Sequence, residues 1–562
     1  FVQLLGSQND MATIRLPGKR RSWKGYTEIR KEYRKMVHKH GGNLYEHEGA
    51  EDFSANINFK GMPEKVKQAA LASIEESVHY PDSECTELRE ALAEREGLKK
   101  EQILCGNGAA ELMFALAFAR KPKSALLPVP SFYEYQQALE AAGCEAQYFY
   151  LKEEEEYRIT EEFLKETEKG YDAVILGNPN NPTGKLISGK ILKKILAVCR
   201  RKGTLLMVDE SFLDFLDEKN LEETFPCGQL LEKYPNLLVI KSFTKMYAMP
   251  GLRFGYVCCA DEELLRQMRS KLQPWNVSLP AQRGALAAAA ETDFARKTAA
   301  ETAVNRQKMK KALQEAGYRV FDSCTNYLLF KGPFDLGKYC ANRKMLIRDC
   351  SNFPGLEKGF FRICIRSEEE NIRLAGILKE RLRGQILETE RLYLRLMEDA
   401  DFPDLCRMLQ DPQVMYAYEH AFEDEEAWEW LKRQQTRYEK DGFGLWAVIE
   451  KETGEMIGQC GLTVQDCNGR QVVEVGYLFC RSVWHQGFAS EAVRACRDYA
   501  FRRLEVREVY SIIRDTNLPS IKVARANGMK EREKLIKHYY GMEMPHLVYS
   551  ITKEEWEWQS RL

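Results

Sequence analysis

Short apolar runs that end abruptly in polar clusters mark the first two-thirds of the chain. Ala173-Val174-Ile175-Leu176 runs into Gly177-Asn178-Pro179-Asn180-Asn181-Pro182-Thr183-Gly184, and Leu205-Leu206-Met207-Val208 runs into Asp209-Glu210. A third run, 237–240, leads into Ser242-Phe243-Thr244-Lys245. Runs this short, apolar at successive rather than alternate positions, predict strands of a parallel sheet buried on both faces. Such sheets bind ligands beyond the carboxyl ends of their strands, which makes the polar clusters candidate site residues and places Lys245 in the turn leaving its strand. A lysine there, among hydroxyls and an arginine, suits a Schiff base with an aldehyde cofactor, because burial and cationic neighbours lower an amine's pKa. Ser242, Thr244 and Arg253 suit a phosphate.

The pattern restarts after Leu382-Arg383-Gly384-Gln385. Residues 387–395 alternate enough for an edge strand, and 446–449, 458–462 and 472–479 read as successive strands. Trp484-His485-Gln486-Gly487-Phe488-Ala489-Ser490-Glu491-Ala492 then opens a helix continuing to about Arg503. Glycine and alanine at that opening let backbone amides cradle a pyrophosphate. Toward the other end, Lys19-Arg20-Arg21 with Lys24 and a helical-looking 26–35 read as a solvated basic arm without an assigned function. At His40-Gly41-Gly42-Asn43 the register changes, and Asp52-Phe53-Ser54-Ala55-Asn56-Ile57-Asn58 follows; the glycines allow close approach to an anion, and a plain turn fits them equally. The expected division is a basic extension at 1–35, a first domain at 36–383 and a second at 384–562.

Composition narrows the classes. At 562 residues the chain exceeds what one core serves. Lys+Arg 83 against Asp+Glu 84 gives no electrostatic reason to expect nucleic acid or an acidic membrane as partner. The 16 cysteines lack a paired C-x-x-C framework, and adjacent Cys258 and Cys259 lie in an apolar run, which suits buried thiols in a reducing, cytoplasmic setting. No apolar stretch approaches the ~20 residues of a membrane span, the first residues lack a signal peptide's pattern, and no metal site is expected.

Taken in order, the 178–184 cluster, Val208-Asp209-Glu210, and 242–245 with Pro250-Gly251-Leu252-Arg253 resemble the fold-type I pyridoxal-phosphate enzymes of the class I/II aminotransferase family, over roughly residues 36 to 383. The openings at 40–43 and 52–58, Tyr80-Pro81-Asp82, Gln273-Pro274-Trp275-Asn276-Val277, Leu346-Ile347-Arg348-Asp349-Cys350 and 361–367 resemble the L-threonine-O-3-phosphate decarboxylases of cobalamin biosynthesis, close relatives of histidinol-phosphate aminotransferases. The sister aminotransferases usually carry Tyr where this chain has Phe212, which is similar to the decarboxylase pattern.

The resemblance implies an α/β domain of mostly parallel sheet with helices on both faces. It further implies that Lys245 holds pyridoxal 5'-phosphate and serves as acid or base, that Asp209 pairs with the ring nitrogen, and that Asn181 bonds the phenolic oxygen. Gly108, Ala109 and Ala110 at a helix opening, with Ser242, Thr244 and Arg253, would take the cofactor phosphate. Tyr80 would reach the neighbouring subunit's cofactor, implying a homodimer. Phe132 and Tyr133 are both placed to stack on the ring, with Tyr133 preferred. Arg362 would grip the substrate carboxylate, and Arg348, with His40 and Asn43, the substrate phosphate; a structural salt bridge is the other reading of each arginine. The reaction implied is decarboxylation of L-threonine O-3-phosphate to (R)-1-amino-2-propanol phosphate, with a histidinol-phosphate aminotransferase using 2-oxoglutarate as the alternative.

With Asp515-Thr516-Asn517-Leu518-Pro519-Ser520 and Ala524-Arg525-Ala526-Asn527-Gly528-Met529, residues 387–562 resemble GNAT N-acetyltransferases, an α/β fold, nearest the branch acting on ribosomal-protein amino termini. Gln486, Gly487, Phe488, Ala489 and Ser490 would face the acetyl-CoA pyrophosphate, with Asn517 and Ser520 near the pantetheine. Trp484 stands where the family often has Gln or Arg. Glu474 fits a water-mediated base or a core-edge carboxylate, and Tyr540 the acid that returns a proton to the thiolate. No acceptor follows from the match, and a module that only binds CoA or a partner is the alternative.

Overall fold

The buried apolar runs assemble into a seven-stranded sheet. Its strands are Ile103–Gly106 (β1), Ser124–Val129 (β2), Glu145–Tyr150 (β3), Ala173–Gly177 (β4), Leu205–Asp209 (β5), Leu237–Ser242 (β6) and Gly255–Cys259 (β7), in the order β1-β7-β6-β5-β4-β2-β3. All neighbours from β6 to β3 run parallel, while β7 is antiparallel to both β1 and β6. Leu206 and Val208 feed the core on one face and Leu205 and Met207 the core on the other. Both faces being covered by helices, an unbroken apolar run is what each strand needs. This computed structural model describes residues 41–382, 384–539 and 541–559; the expected basic arm, His40 and Tyr540 lie outside them.

Lys245 departs from the expected turn. β6 extends to Ser242, whose hydroxyl accepts from the Thr244 amide and starts one helical turn, Phe243–Met246. A serine with extended backbone at a helix start satisfies an amide that the helix cannot.

A smaller lobe follows, built on Tyr327–Lys331 (β8) paired antiparallel with Phe360–Cys364 (β9). The short strand Arg348–Asp349 adds to β9 with Arg348 directly opposite Arg362. Glu51–Asp52 pairs with Met345–Leu346, which brings the 52–58 segment against this lobe.

Residues 385–552 contribute a separate eight-stranded sheet. Its strands are Gln385–Glu388 (β10), Leu392–Arg395 (β11), Leu445–Glu450 (β12), Met456–Cys467 (β13), Arg470–Phe479 (β14), Glu508–Arg514 (β15), Lys530–Tyr539 (β16) and Met542–Thr552 (β17), ordered β10-β11-β12-β13-β14-β15-β17-β16. The single edge strand expected over 387–395 is instead a hairpin, because Thr389 turns the chain: its hydroxyl accepts from the Leu392 amide at 3.0 Å. Helix Phe488–Arg502 packs on one face, helices Phe402–Leu409 and Asp424–Lys440 on the other. The only parallel pair, β14 with β15, meets in register at just Glu474 and Tyr510, so the two strands part beyond it.

The small lobe and this sheet join at a buried seam. Arg381 donates to Asp335 at 2.6 and 3.2 Å, Tyr393 of β11 donates to the same carboxylate at 3.2 Å, and the guanidinium lies 3.7 Å from the Tyr393 ring centre. All sixteen cysteines are unpaired, and fifteen are buried. No helix among the described residues is long and apolar enough to cross a membrane.

Candidate active sites

At the carboxyl ends of β4, β5 and β6 lies a cavity of about 270 Å³, lined by Lys245, Asp209, Asn181, Arg362 and Arg348 among others. Burial first, then Arg362 and Arg253, lower the Lys245 ammonium from 10.5 to about 8. Removing water and adding cations both favour the neutral amine. Asp209, the last residue of β5, accepts from Tyr135 Oη at 2.7 Å and from the Ser211 amide at 2.9 Å, yet burial still pushes its carboxyl upward. Its neighbour Glu210 points to the opposite face, accepts from the Cys227 amide at 2.6 Å and sits 3.5 Å from Lys241, a structural pairing.

Arg362 is buried, donates to Asn181 Oδ1 and donates to the Ser54 carbonyl at 2.9 Å; its Nε has no hydrogen-bond partner among the described residues. With Asn181 Oδ1 so engaged, the Asn181 amide group remains to donate into the cavity. Arg348 donates to the Asp349 carbonyl and Asn352 Oδ1 at 2.7 and 2.9 Å. Neither arginine forms a salt bridge among the described residues. Side chains directly opposite on an antiparallel pair point to one face, and both guanidinium groups line the same cavity.

The groups present fit pyridoxal phosphate. Helix Ala109–Arg120 opens at Gly108, whose φ is +83° and whose added Cβ would come 2.6 Å from Arg253 Nη2. A Cβ on Gly255 would sit 2.6 Å from the Ala109 amide nitrogen. The cradle is therefore built of bare backbone, a free helix amino end, one guanidinium and the Ser242 and Thr244 hydroxyls, which lie 2.8 Å apart. That donor set matches a phosphate. A buried carboxylate pushed upward, as Asp209 is, matches a protonated ring nitrogen, and an amine whose ammonium is lowered to about 8 matches an aldehyde.

Phe132 and Tyr133 both line the cavity. Tyr80 does not: it is 77% exposed and stacks on Trp275 with ring centres 4.4 Å apart. Asn43 is not brought to the cavity either; it is exposed at the start of a short turn, Leu44–Glu46. Among the described residues of that segment Gly41 lines the cavity; a Cβ there would meet the Ser54 carbonyl oxygen at 2.5 Å, and only glycine can pass so close. Glu134 was missed in the sequence. It lines the cavity, and burial raises its carboxyl to about 7 against the pull of Lys245 and Arg348. Tyr135, holding Asp209, was also missed; its signal was an aromatic residue three positions after Phe132 at a helix start.

In the second domain, the Phe488–Arg502 helix opens at Gly487, with φ +82°. Its first backbone bond runs from the Glu491 amide to the Gly487 carbonyl at 3.1 Å, leaving the amides of 488–490 unclaimed at the helix's positive end. The Phe488 ring itself is buried in the core, 4.2 Å beneath the Arg391 guanidinium, so its backbone and not its side chain is available there. Arg391 donates to the Gln486 carbonyl at 2.9 Å and pairs with Glu491, which adds a cation at the opening that sequence reasoning had left in a strand. Asn517 caps helix Leu518–Ala526 by accepting from the Ser520 amide at 3.1 Å and also accepts from Tyr416 Oη at 2.7 Å. Glu474 is half-buried in the parting between β14 and β15, with its carboxyl pushed up by burial.

The comparisons agree with this division. Residues 49–378 match the family Aminotransferase class I and II, and 391–530 match the Acetyltransferase (GNAT) domain, without distinguishing a branch within it. Over 368 residues the chain is 34% identical to the threonine-phosphate decarboxylase of Salmonella typhimurium, covering 61% of this chain and 97% of that one. Among solved structures it is similar to the L-threonine-O-3-phosphate decarboxylase of Porphyromonas gingivalis, at TM-score 0.52 and 25% identity over 59% of this chain and 98% of that one. It is likewise similar to the histidinol-phosphate aminotransferase of Clostridium acetobutylicum, at TM-score 0.54 and 28% identity over the same shares. A pyridoxal-phosphate cavity on a mostly parallel sheet, joined to a second sheet with a free helix amino end, thus has a name for each half: the chain belongs to the class I and II aminotransferase family and carries a GNAT acetyltransferase domain at its carboxyl end.

Proposed function

We propose that residues 36–383 decarboxylate L-threonine O-3-phosphate to (R)-1-amino-2-propanol phosphate and carbon dioxide, as a step of cobalamin biosynthesis, and that residues 384–562 transfer an acetyl group from acetyl-CoA to an amine. The observation that carries the first half is the facing pair Arg348 and Arg362, both lining the Lys245 cavity. A substrate with a carboxylate and a phosphate offers one anion to each fork of donors. Similarity to the threonine-phosphate decarboxylase of Salmonella typhimurium supports the same choice.

In this reading Arg362 holds the carboxylate and Arg348 the phosphate. Bound pyridoxal phosphate supplies the sink for the electron pair that carbon dioxide leaves behind. Asp209 keeps the proton on the ring nitrogen, the Asn181 amide donates to the phenolic oxygen, and Tyr133 covers the ring. The 108–110 amides, Ser242, Thr244 and Arg253 anchor the phosphate. Lys245 Nζ, freed once substrate is seated, delivers a proton to the substrate's α carbon. Tyr80, exposed on its Trp275 platform, is assigned to the neighbouring subunit's site in a homodimer. The unpaired buried thiols suit a reducing cytoplasm.

One observation favours a second reading. The likeness to a histidinol-phosphate aminotransferase is as strong in structure, and the same two arginines would serve a phosphate and the carboxylate of 2-oxoglutarate. A paired assay separates the two. The holoenzyme is given L-threonine phosphate and read for carbon dioxide, or histidinol phosphate with 2-oxoglutarate and read for glutamate. Carbon dioxide without glutamate is expected; glutamate alone would replace the decarboxylase reading with the aminotransferase.

A further inference from the structure

Beside the Asp424–Lys440 helix, the acetyltransferase sheet carries a cluster of charges where β14 and β15 part. Register fixes which residues share that face. Glu474 stands opposite Tyr510, and side chains alternate along a strand, so Ile512 and Arg514 lie on Glu474's side. Arg514 is opposite His546 of β17, and Lys537 of β16 is opposite Met544, two residues from His546, which puts His546 and Lys537 on the same side. Arg437, in the last turn of the Asp424–Lys440 helix, completes the group, and its charge and that of Lys537 both bear on Glu474.

Two of these charges are not closed into salt bridges among the described residues. Arg514 is taken by Glu419. Arg437 is half-buried and donates to the neutral Gln434 Oε1 at 3.1 Å, and among the described residues neither it nor Lys537 forms a salt bridge. Burial and Arg433 push the Arg437 guanidinium down against the pull of Asp441 and Glu474. One oxygen of Glu474 accepts from the Ile512 amide at 2.9 Å and the other has no such bond among the described residues. One carboxylate with a spare oxygen therefore faces two cations that form no salt bridge among the described residues, next to the parting where the thioester would arrive.

We infer that the acetyltransferase domain takes as its acceptor a small primary amine that itself carries an anionic group, a phosphate in the first instance, with the amine received at Glu474 and the anion at Arg437 and Lys537. This rests on the reading of residues 384–562 as an acetyl transferase. Glu474 takes the proton that makes the amine neutral. The nitrogen then attacks the thioester carbonyl carbon, the N–C bond forms as the C–S bond breaks, the nitrogen's surplus proton leaves through water, and the thiolate takes one up to leave as free CoA. An unmodified protein amino terminus carries no phosphate beside its amine. An amino alcohol phosphate of the kind proposed as product of the first site does, which gives the fusion of the two domains a chemical reason.

The test uses the full-length holoenzyme with acetyl-CoA and four amines: 1-amino-2-propanol phosphate, unphosphorylated 1-amino-2-propanol, β-alanine and a short peptide with a free amino terminus. CoA thiol release gives kcat/KM, and ³¹P resonance broadening of the phosphorylated amine gives binding independent of turnover. The phosphorylated amine is expected to exceed the neutral one by about tenfold or more, chiefly in KM, as the loss of charge-assisted bonds predicts. Arg437→Gln with Lys537→Gln should abolish that preference and the broadening caused by the second domain while acetyl-CoA still binds by calorimetry. Equal or better use of the neutral amine or the peptide would overturn the anionic class, as would binding of acetyl-CoA with no amine consumed; β-alanine alone being used would move the anion from phosphate to carboxylate and overturn the phosphate assignment. Failure of acetyl-CoA to bind at all would instead overturn the transferase reading beneath it.

Discussion

Lys245 should react with the cofactor aldehyde at neutral pH because its ammonium is lowered from 10.5 to about 8. Only the neutral amine is a nucleophile. At pH 7 a group with a pKa of about 8 is neutral in about one molecule in ten, against about three in ten thousand for an ordinary lysine, a gain of ~300-fold in reactive amine. Of the named causes, burial is largest, Arg362 second and Arg253 third, with Glu134 opposing. Arg362→Met keeps much of the bulk and removes the second cause, so the midpoint should move up, by at most about one unit or ~1.4 kcal/mol; Arg362→Lys keeps the charge and should hold it near 8. The assay is stopped-flow mixing of cofactor-stripped protein with pyridoxal phosphate between pH 6.5 and 9.5, followed by the cofactor's absorbance. The association rate should climb about tenfold per unit below the midpoint and level above it. A rate flat across that range, or one still climbing at pH 9.5 in the unmodified protein, would refute the claim that the cavity tunes this amine, and an Arg362→Met midpoint at or below the parent's would refute the assigned cause.

Three other outcomes follow from the same geometry. Glu134, raised to about 7, is protonated below that pH and ionised above it beside Arg348; KM for a phosphorylated substrate should therefore rise between pH 6 and 8, and Glu134→Gln should flatten the step, which a KM profile reads directly. Gly108→Ala adds a Cβ 2.6 Å from Arg253 Nη2 at a φ of +83°, where an L side chain costs about 1–2 kcal/mol; equilibrium dialysis should show cofactor affinity falling by about tenfold, and unchanged affinity would mean that the cradle is not where the phosphate sits. Asp335→Asn leaves the Arg381 guanidinium, 1% exposed, without its counter-charge, a loss on the order of 3–5 kcal/mol in urea unfolding of the lobe, much of it recovered when Arg381→Met is added.

The sheet was legible because its strands are buried on both faces, and a strand of that kind announces itself as an unbroken apolar run; β4, β5 and β6 and the residues at their ends all came from that one signal. The hairpin at 385–395 was not, since its turn depends on the Thr389 hydroxyl meeting Leu392, and a hydroxyl in an alternating stretch is equally at home in a continuous strand. The family motifs identified Arg348 and Arg362 separately, but their apposition is set by pairing between 348–349 and β9, two segments that no local pattern links. Asn43 shows the converse. Its segment does reach the cavity, through Gly41 packed on the Ser54 carbonyl, yet the turn that follows carries Asn43 outward.

The seam at Asp335 bears on how the two halves act together. Leu336, Leu374 and Leu378 flank Asp335 and Arg381 in sequence and belong to the same apolar core as Phe361 and Ile363 of β9, the strand that carries Arg362. The acetyltransferase sheet is thus bonded, through Tyr393, to the lobe that presents Arg348 and Arg362 to the cavity, while Lys245, Asp209 and the Gly108 cradle stand on the seven-stranded sheet. A packed core transmits displacement rather than absorbing it. In the proposed reading, changes in the seam therefore bear on the placement of Arg348 and Arg362 relative to Lys245, and should move substrate KM before cofactor affinity.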